Sequence, residues 1–212
     1  MLKNKLTTLF ILGLLLSACQ SGQERLPFIG EPDIVEKVVD GKTIADTIYP
    51  TIPPFQFLNQ DSTLVTDRFF DNKIYVTNFF FTHCPSICPT MQRNLLEVYK
   101  KYKNDDRIAF LSHSIDFKYD QPSVLKKYAT NLGVDNDQWQ FVTGSKADIY
   151  GMSDRYLVFT SEDANVPGGY DHASFLVLID HDKHIRGTYD GTNKEHIQQL
   201  LGDIEILLQE YK

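Results

Sequence analysis

The chain has 212 residues, 42% of them hydrophobic and 23% charged, with a formal net charge of −7. That suits one globular domain with a sizeable core, plus some additional sequence. An acidic chain without a basic block lacks the clustered Lys and Arg that phosphate contacts need, which argues against a nucleic-acid partner. The short run Lys100–Lys103 falls inside a helical pattern and reads as a solvated face.

Lys3 and Lys5 precede an uncharged run from Leu6 to Leu16, the n-region and h-region of a secretory signal. The run is shorter than the about 20 apolar residues of a membrane span. It ends in Leu16-Ser17-Ala18-Cys19, which resembles the lipobox of bacterial lipoproteins. Cleavage would fall before Cys19, whose sulfur would carry a diacylglyceryl group. The expected division is therefore a signal peptide over 1–18, a lipidated cysteine and membrane tether over 19–47, and a folded domain over 48–212. The expected location is the cell envelope, on the extracytoplasmic side of a bacterial membrane. Residues 20–47 show little periodicity, with a short strand expected at Ile34–Val39.

Phe55–Leu58 and Ser62–Val65 read as short strands, and Thr66 as the cap of a brief helix through Phe70. Ile74–Phe81 is a near-continuous apolar, β-branched run, the pattern of a strand covered on both faces. After Pro89, the residues Met91, Leu95, Val98 and Tyr102 recur at helical spacing. Ile108–Ile115 is the next strand and Pro122–Leu132 the next helix, with Gly133 placed to stop it. Gln140–Thr143 follows as a strand, then a helix from Ser145 to about Tyr156, then strands at Leu157–Thr160 and Ala173–Asp180. A turn at His181-Asp182-Lys183 leads into His184–Tyr189, and Asn193 caps a final helix. Alternating strands and helices predict an α/β fold, with a mixed sheet flanked by helices. A strand ending in a cysteine pair at a helix start, then βα, a hairpin and a terminal helix, is the thioredoxin-like order.

The segment Thr82–Thr90 reads THCPSICPT. With Cys19 assigned to an anchor, Cys84 and Cys88 are two thiols in an exported protein, where a disulfide, a metal or a cycle between them is expected. Pro89 disfavours helical angles at Cys88, so the helix is expected to begin near Pro89. Unpaired N–H groups at that helix start favour a thiolate. A loop with three intervening residues can bring both sulfurs to one side, as a redox pair or as soft ligands for Cu(I). A purely structural bridge over so small a loop would constrain the unfolded chain little.

Six histidines could complete a site. His181, His184 and His196 read as surface residues, His113 as a mid-strand core residue, and His83 as a neighbour able to tune Cys84. His172 follows the loop Val166–Asp171 and enters the strand that should face the cysteine segment. An imidazole with two thiolates suits copper as Cu(I) or Cu(II).

Four segments, FFFTHCPSICPTM (Phe79–Met91), SIDFKYDQPSVLKKY (Ser114–Tyr128), WQFVTG (Trp139–Gly144) and DHASFLVLID (Asp171–Asp180), together resemble the Sco (SenC) family. Their order and spacing match over about residues 49–210. That family is thioredoxin-like, binds copper and takes part in cytochrome c oxidase assembly. The resemblance implies one copper on Cys84, Cys88 and His172, with Asp116 near the metal and Asp120 as the second acidic residue of its segment. Phe117 stands where the family usually has proline. The implied role is a membrane-anchored copper chaperone that helps assemble the binuclear copper centre of an oxidase subunit. The alternative is a thiol–disulfide oxidoreductase that uses Cys84 and Cys88 as its redox pair to reduce a client's cysteines. The peroxiredoxin pattern is absent, since Thr77 and Phe81 occupy its Pro and Thr positions, and no C-x-x-C-H haem motif occurs.

Overall fold

The computed structural model describes residues 25–211, so the expected signal segment and Cys19 lie outside the described residues. A seven-stranded mixed sheet forms the centre of the molecule. The strands in chain order are β1 (Asp33–Val39), β2 (Lys42–Ile48), β3 (Gln56–Asn59), β4 (Leu64–Thr66), β5 (Ile74–Phe80), β6 (Ile108–Ser114), β7 (Trp139–Thr143), β8 (Thr160–Glu162), β9 (Tyr170–His172), β10 (Phe175–Ile179) and β11 (Ile185–Asp190). The helices are α1 (Cys88–Tyr102), α2 (Pro122–Leu132), α3 (Lys146–Arg155) and α4 (Lys194–Glu210). The sheet order is β11-β10-β5-β6-β7-β3-β4. β5, β6 and β7 are parallel, and α1 and α2 are their crossovers. The flanking strands add antiparallel, as the tight turn between β10 and β11 requires.

Every residue of β5 and β6 is buried, matching the unbroken apolar run in the sequence. Gly133 ends α2 at φ 91°, and its N–H closes on Ala129 and Thr130. Asn193 caps α4 by accepting from Glu195 N at 2.8 Å. Two late strands start further along the chain than expected. The strand expected from Leu157 begins only at Thr160, because Leu157 takes a left-handed φ of 59° that turns the chain after α3. The strand expected from Ala173 begins at Phe175, because His172 ends β9, which pairs with β8 in a separate hairpin.

Residues within the expected tether also take structure. β1 and β2 form an antiparallel hairpin. Ahead of it, Ile29 N donates to Ile185 O at 2.9 Å. Arg186 is buried with Asp180 and Glu210, and its guanidinium also donates to the carbonyls of Leu26 and Pro27.

His113 lies fully buried in the sheet, stacked on Phe79 at 4.7 Å, with Nδ1 3.2 Å from Thr77 Oγ1. Burial pushes its pKa down from 6.5 to about 3. Below pH 6.5 the unfolded chain takes up a proton that the folded protein refuses until about pH 3. This group's contribution to stability is therefore complete above pH 6.5 and is lost on acidification, by on the order of 5 kcal/mol across that window. Urea unfolding at stepped pH values should show the decline for the wild type and a flatter profile for His113→Phe. Parallel profiles would exclude His113 as its source.

Candidate metal centre

β5 runs buried through Phe80, and the chain then turns sharply. Cys84 N closes the turn on Phe81 O at 3.3 Å. Asp120 staples the same turn to the end of β6. It accepts from Thr82 N at 2.9 Å, Thr82 Oγ1 at 2.5 Å and Ser114 Oγ at 2.6 Å. Burial raises the Asp120 pKa, while these bonds favour its charged form. Asp120, known from sequence only as one acidic residue of a motif, thus holds the cysteine loop in place.

α1 opens at Cys88, one residue earlier than Pro89 suggested. Proline is tolerated there because a first-turn N–H has no intrahelical acceptor. The first helical bond runs from Met91 N to Ile87 O at 3.0 Å. Cys84 therefore sits in the loop and Cys88 in the first helical turn. Both cysteines are free and buried. The Cys84 thiol is pushed down chiefly by its hydrogen bond with Cys88, against the cost of burial. The same bond, with burial, pushes Cys88 up. The pair thus favours one thiolate, on Cys84, held by the neighbouring thiol.

β9 carries His172 to this point. Its Nε2 lies 3.1 Å from Cys88 Sγ, and its Nδ1 lies 3.1 Å from Ala173 O. A carbonyl can only accept, so Nδ1 carries a proton, and in the neutral ring the Nε2 lone pair faces the sulfurs. The two Sγ atoms and one imidazole nitrogen lie within 4.8 Å of one another. The ring also packs edge-on against Phe81 at 5.9 Å. Two sulfurs, soft donors once deprotonated, and an imidazole around one point form a donor set that fits copper.

Asp116 stands apart from this triad. Its Oδ1 accepts from Lys118 N, Tyr119 N and, at 3.0 Å, Tyr170 Oη. The two backbone bonds hold the turn where Phe117 replaces the expected proline. The bond to Tyr170 ties that turn to β9, two residues before His172. His83 Nε2 lies 3.5 Å from Asp116 Oδ2, with its side chain 44% exposed. Tyr170 was not singled out in the sequence, where it is one more loop aromatic. His181, His184 and His196 lie away from the triad, in the last turn and on α4.

The family model described as SCO1/SenC matches residues 46–209. The chain belongs to the SCO1/SenC family. The SCO1 protein homolog of Bacillus subtilis is 29% identical over 170 residues, covering 78% of this chain and 86% of that protein. The solved structure of BsSco is described as having a disulfide switch and as a member of the Sco family of cytochrome c oxidase assembly proteins. It is similar at a TM-score of 0.63 and 28% identity, over 74% of this chain and 92% of BsSco. ScoI of Bradyrhizobium japonicum, solved with copper bound, has a TM-score of 0.63 at 23% identity, over 74% of this chain and 99% of ScoI, and shows the shared fold. The SCO1/SenC fold of this chain is the thioredoxin-like arrangement that its element order implied. Among the described residues, no helix is long and apolar enough to cross a membrane.

Proposed function

We propose that Cys84, Cys88 and His172 hold one copper ion as cargo, and that the protein delivers it to the binuclear copper centre of a cytochrome c oxidase subunit. The observation that carries this reading is the convergence of two Sγ atoms and an Nε2 whose lone pair is free to face them. Membership in the SCO1/SenC family supports it, as does the copper-bound ScoI relative. Two thiolates suffice for Cu(I), and the imidazole adds the borderline ligand that Cu(II) prefers. Low coordination lets an incoming client ligand join before a departing one leaves. Asp116 would act through Tyr170, holding β9 and so the height of His172 over the sulfurs. On the same reading, a lipid on Cys19 would keep the domain on the extracytoplasmic face of a membrane, beside its client.

A copper(I) titration of the reduced protein tests this. One equivalent is expected per chain, and none once Cys84 and Cys88 are joined as a disulfide. Equal binding by the disulfide form would remove the cysteines from the site.

A second reading rests on Cys84 as a free thiol beside Cys88, acting as a thiolate. It would attack one sulfur of a client disulfide, with release of the other as a thiolate. Cys88 would then close on Cys84, leaving the client reduced by two electrons and this pair oxidised. The disulfide switch described for BsSco supports it. Disulfide exchange has no need of His172, whereas copper binding does. In a strain lacking the protein, rescue of oxidase activity by added copper favours delivery, and rescue by a thiol reductant favours exchange.

A further inference from the structure

A pocket of about 290 Å³ opens beside the cysteine pair. Cys84 and Cys88 contribute to its wall, and Phe81, Tyr128 and Leu132 supply apolar surface. His172 does not line it. The sulfurs therefore have an imidazole on one side and this pocket on another.

Gln92 also lines the pocket, one helical turn after Cys88. It is 1% exposed, and neither its Oε1 nor its Nε2 has a hydrogen-bond partner among the described residues. Buried polar groups are almost always paired, and an unpaired one is costly. A carboxamide left so beside an apolar pocket calls for a ligand that brings a donor and an acceptor together. A peptide unit does this, with one N–H and one C=O. Arg93, next in the chain, also lines the pocket and is exposed. Among the described residues its guanidinium makes one hydrogen bond, to Thr90 Oγ1 at 3.1 Å, and pairs with no carboxylate. In a chain of net charge −7 this is an uncommitted cation beside the sulfurs. It favours a carboxylate on whatever docks there.

We propose that this pocket receives an extended client peptide in which an acidic residue neighbours a sulfur-bearing side chain. The peptide backbone pairs with the Gln92 carboxamide, its carboxylate meets Arg93, and its sulfur reaches Cys84 and Cys88. The inference rests on the exchange chemistry proposed for the site and adds the chemistry of the partner.

Two short peptides serve as probes. Each carries one cysteine activated as a 2-pyridyl disulfide, flanked by aspartates in one and by lysines in the other. The small-molecule control is 2,2′-dithiodipyridine. A thiolate of the reduced full-length protein attacks the peptide sulfur. A protein–peptide disulfide forms, the peptide–pyridyl S–S bond breaks, and pyridine-2-thione leaves with the proton given up by the protein thiol. Its absorbance reports the rate, and each peptide rate is divided by the control rate for the same protein.

At low salt the aspartate peptide should exceed the lysine peptide by roughly two- to five-fold, the scale of one exposed charge pair. High salt should erase the difference, and Arg93→Glu should reverse it. Gln92→Leu should lower both peptide ratios while melting no lower than the wild type, since it removes two unpaired buried atoms. Equal ratios for the two peptides, or a preference untouched by Arg93→Glu, overturn the proposal. So does Gln92→Leu with unchanged peptide ratios or a lowered melting temperature. Copper titration of the wild type is scored separately. A protein that binds copper but shows no peptide preference keeps its metal site and loses this pocket. One that shows the preference but binds no copper keeps the pocket and loses the copper reading.

Discussion

On the proposed copper site, His172→Ala is expected to weaken copper binding by at least about 100-fold, with Cu(II) affected more than Cu(I). The magnitude follows from ligand logic. Losing only an outer partner of a metal ligand costs about 10- to 100-fold in affinity, and here the ligand itself is removed. The oxidation states differ because two thiolates satisfy Cu(I), whereas Cu(II) prefers the nitrogen donor. Nε2 of His172 lies 3.1 Å from Cys88 Sγ, and Asp116, the acidic candidate from the sequence, lies outside the triad. No second imidazole of the described chain joins the two sulfurs to take its place. Competition with a copper chelator at fixed pH gives the affinities, and circular dichroism checks that the variant folds. Affinities within a few-fold of wild type for both oxidation states would remove His172 from the site. Cys88→Ser should be at least as damaging, because it deletes one of the two soft donors.

Arg186→Leu is expected to destabilise the fold by about 3–5 kcal/mol, the scale for breaking one partner out of a buried ion pair. The Arg186 side chain is 1% exposed, and Asp180 is fully buried. Nη1 donates to Asp180 Oδ2 at 2.8 Å, and Nη2 to Glu210 Oε2 at 2.9 Å. The substitution would strand the Asp180 carboxylate without its guanidinium. It would also free the carbonyls of Leu26 and Pro27, which receive Nη2 and Nε. Phe28, whose ring centroid lies 4.4 Å from the guanidinium carbon, would lose its cation. Arg186→Lys should recover only part of the loss, because an ammonium cannot present the same planar fork. Urea unfolding gives the free-energy change, and amide exchange at Ile29 reports release of the N-terminal segment from β11. A loss under about 1 kcal/mol would mean that water or a shifted side chain replaces the guanidinium.

These two predictions differ in how far the sequence could reach them. The Cys84, Cys88 and His172 constellation was readable because its chemistry is carried by rare residue types. Two cysteines outside the anchor, at a strand-to-helix junction, need an explanation, and a histidine entering the late strand offers one. The order of strands and helices was readable because burial on both faces leaves a continuous apolar run, as in β5, and capping leaves Gly133 and Asn193 at helix ends. The boundaries near His172 were not. The pattern from Ala173 to Asp180 looks like one strand, yet hydrogen bonding between β8 and β9 gives His172 to a separate hairpin. Strand pairing depends on a distant segment, and a local pattern does not contain it.

By itself the sequence determined the α/β class, the thioredoxin-like element order, the cysteine pair and the histidine that could join it. Each of these rests on local properties: periodicity, capping residues, and the scarcity of soft ligands. Tertiary structure alone decided which His172 nitrogen faces the sulfurs, because Ala173 O must take the proton of the other. It alone gave Asp120 its place under the cysteine turn, Asp116 its bond to Tyr170, and Arg186 its hold on the N-terminal segment. A carboxylate or guanidinium reads as a surface charge until the fold brings its partner from far along the chain, and only burial makes that pairing matter energetically.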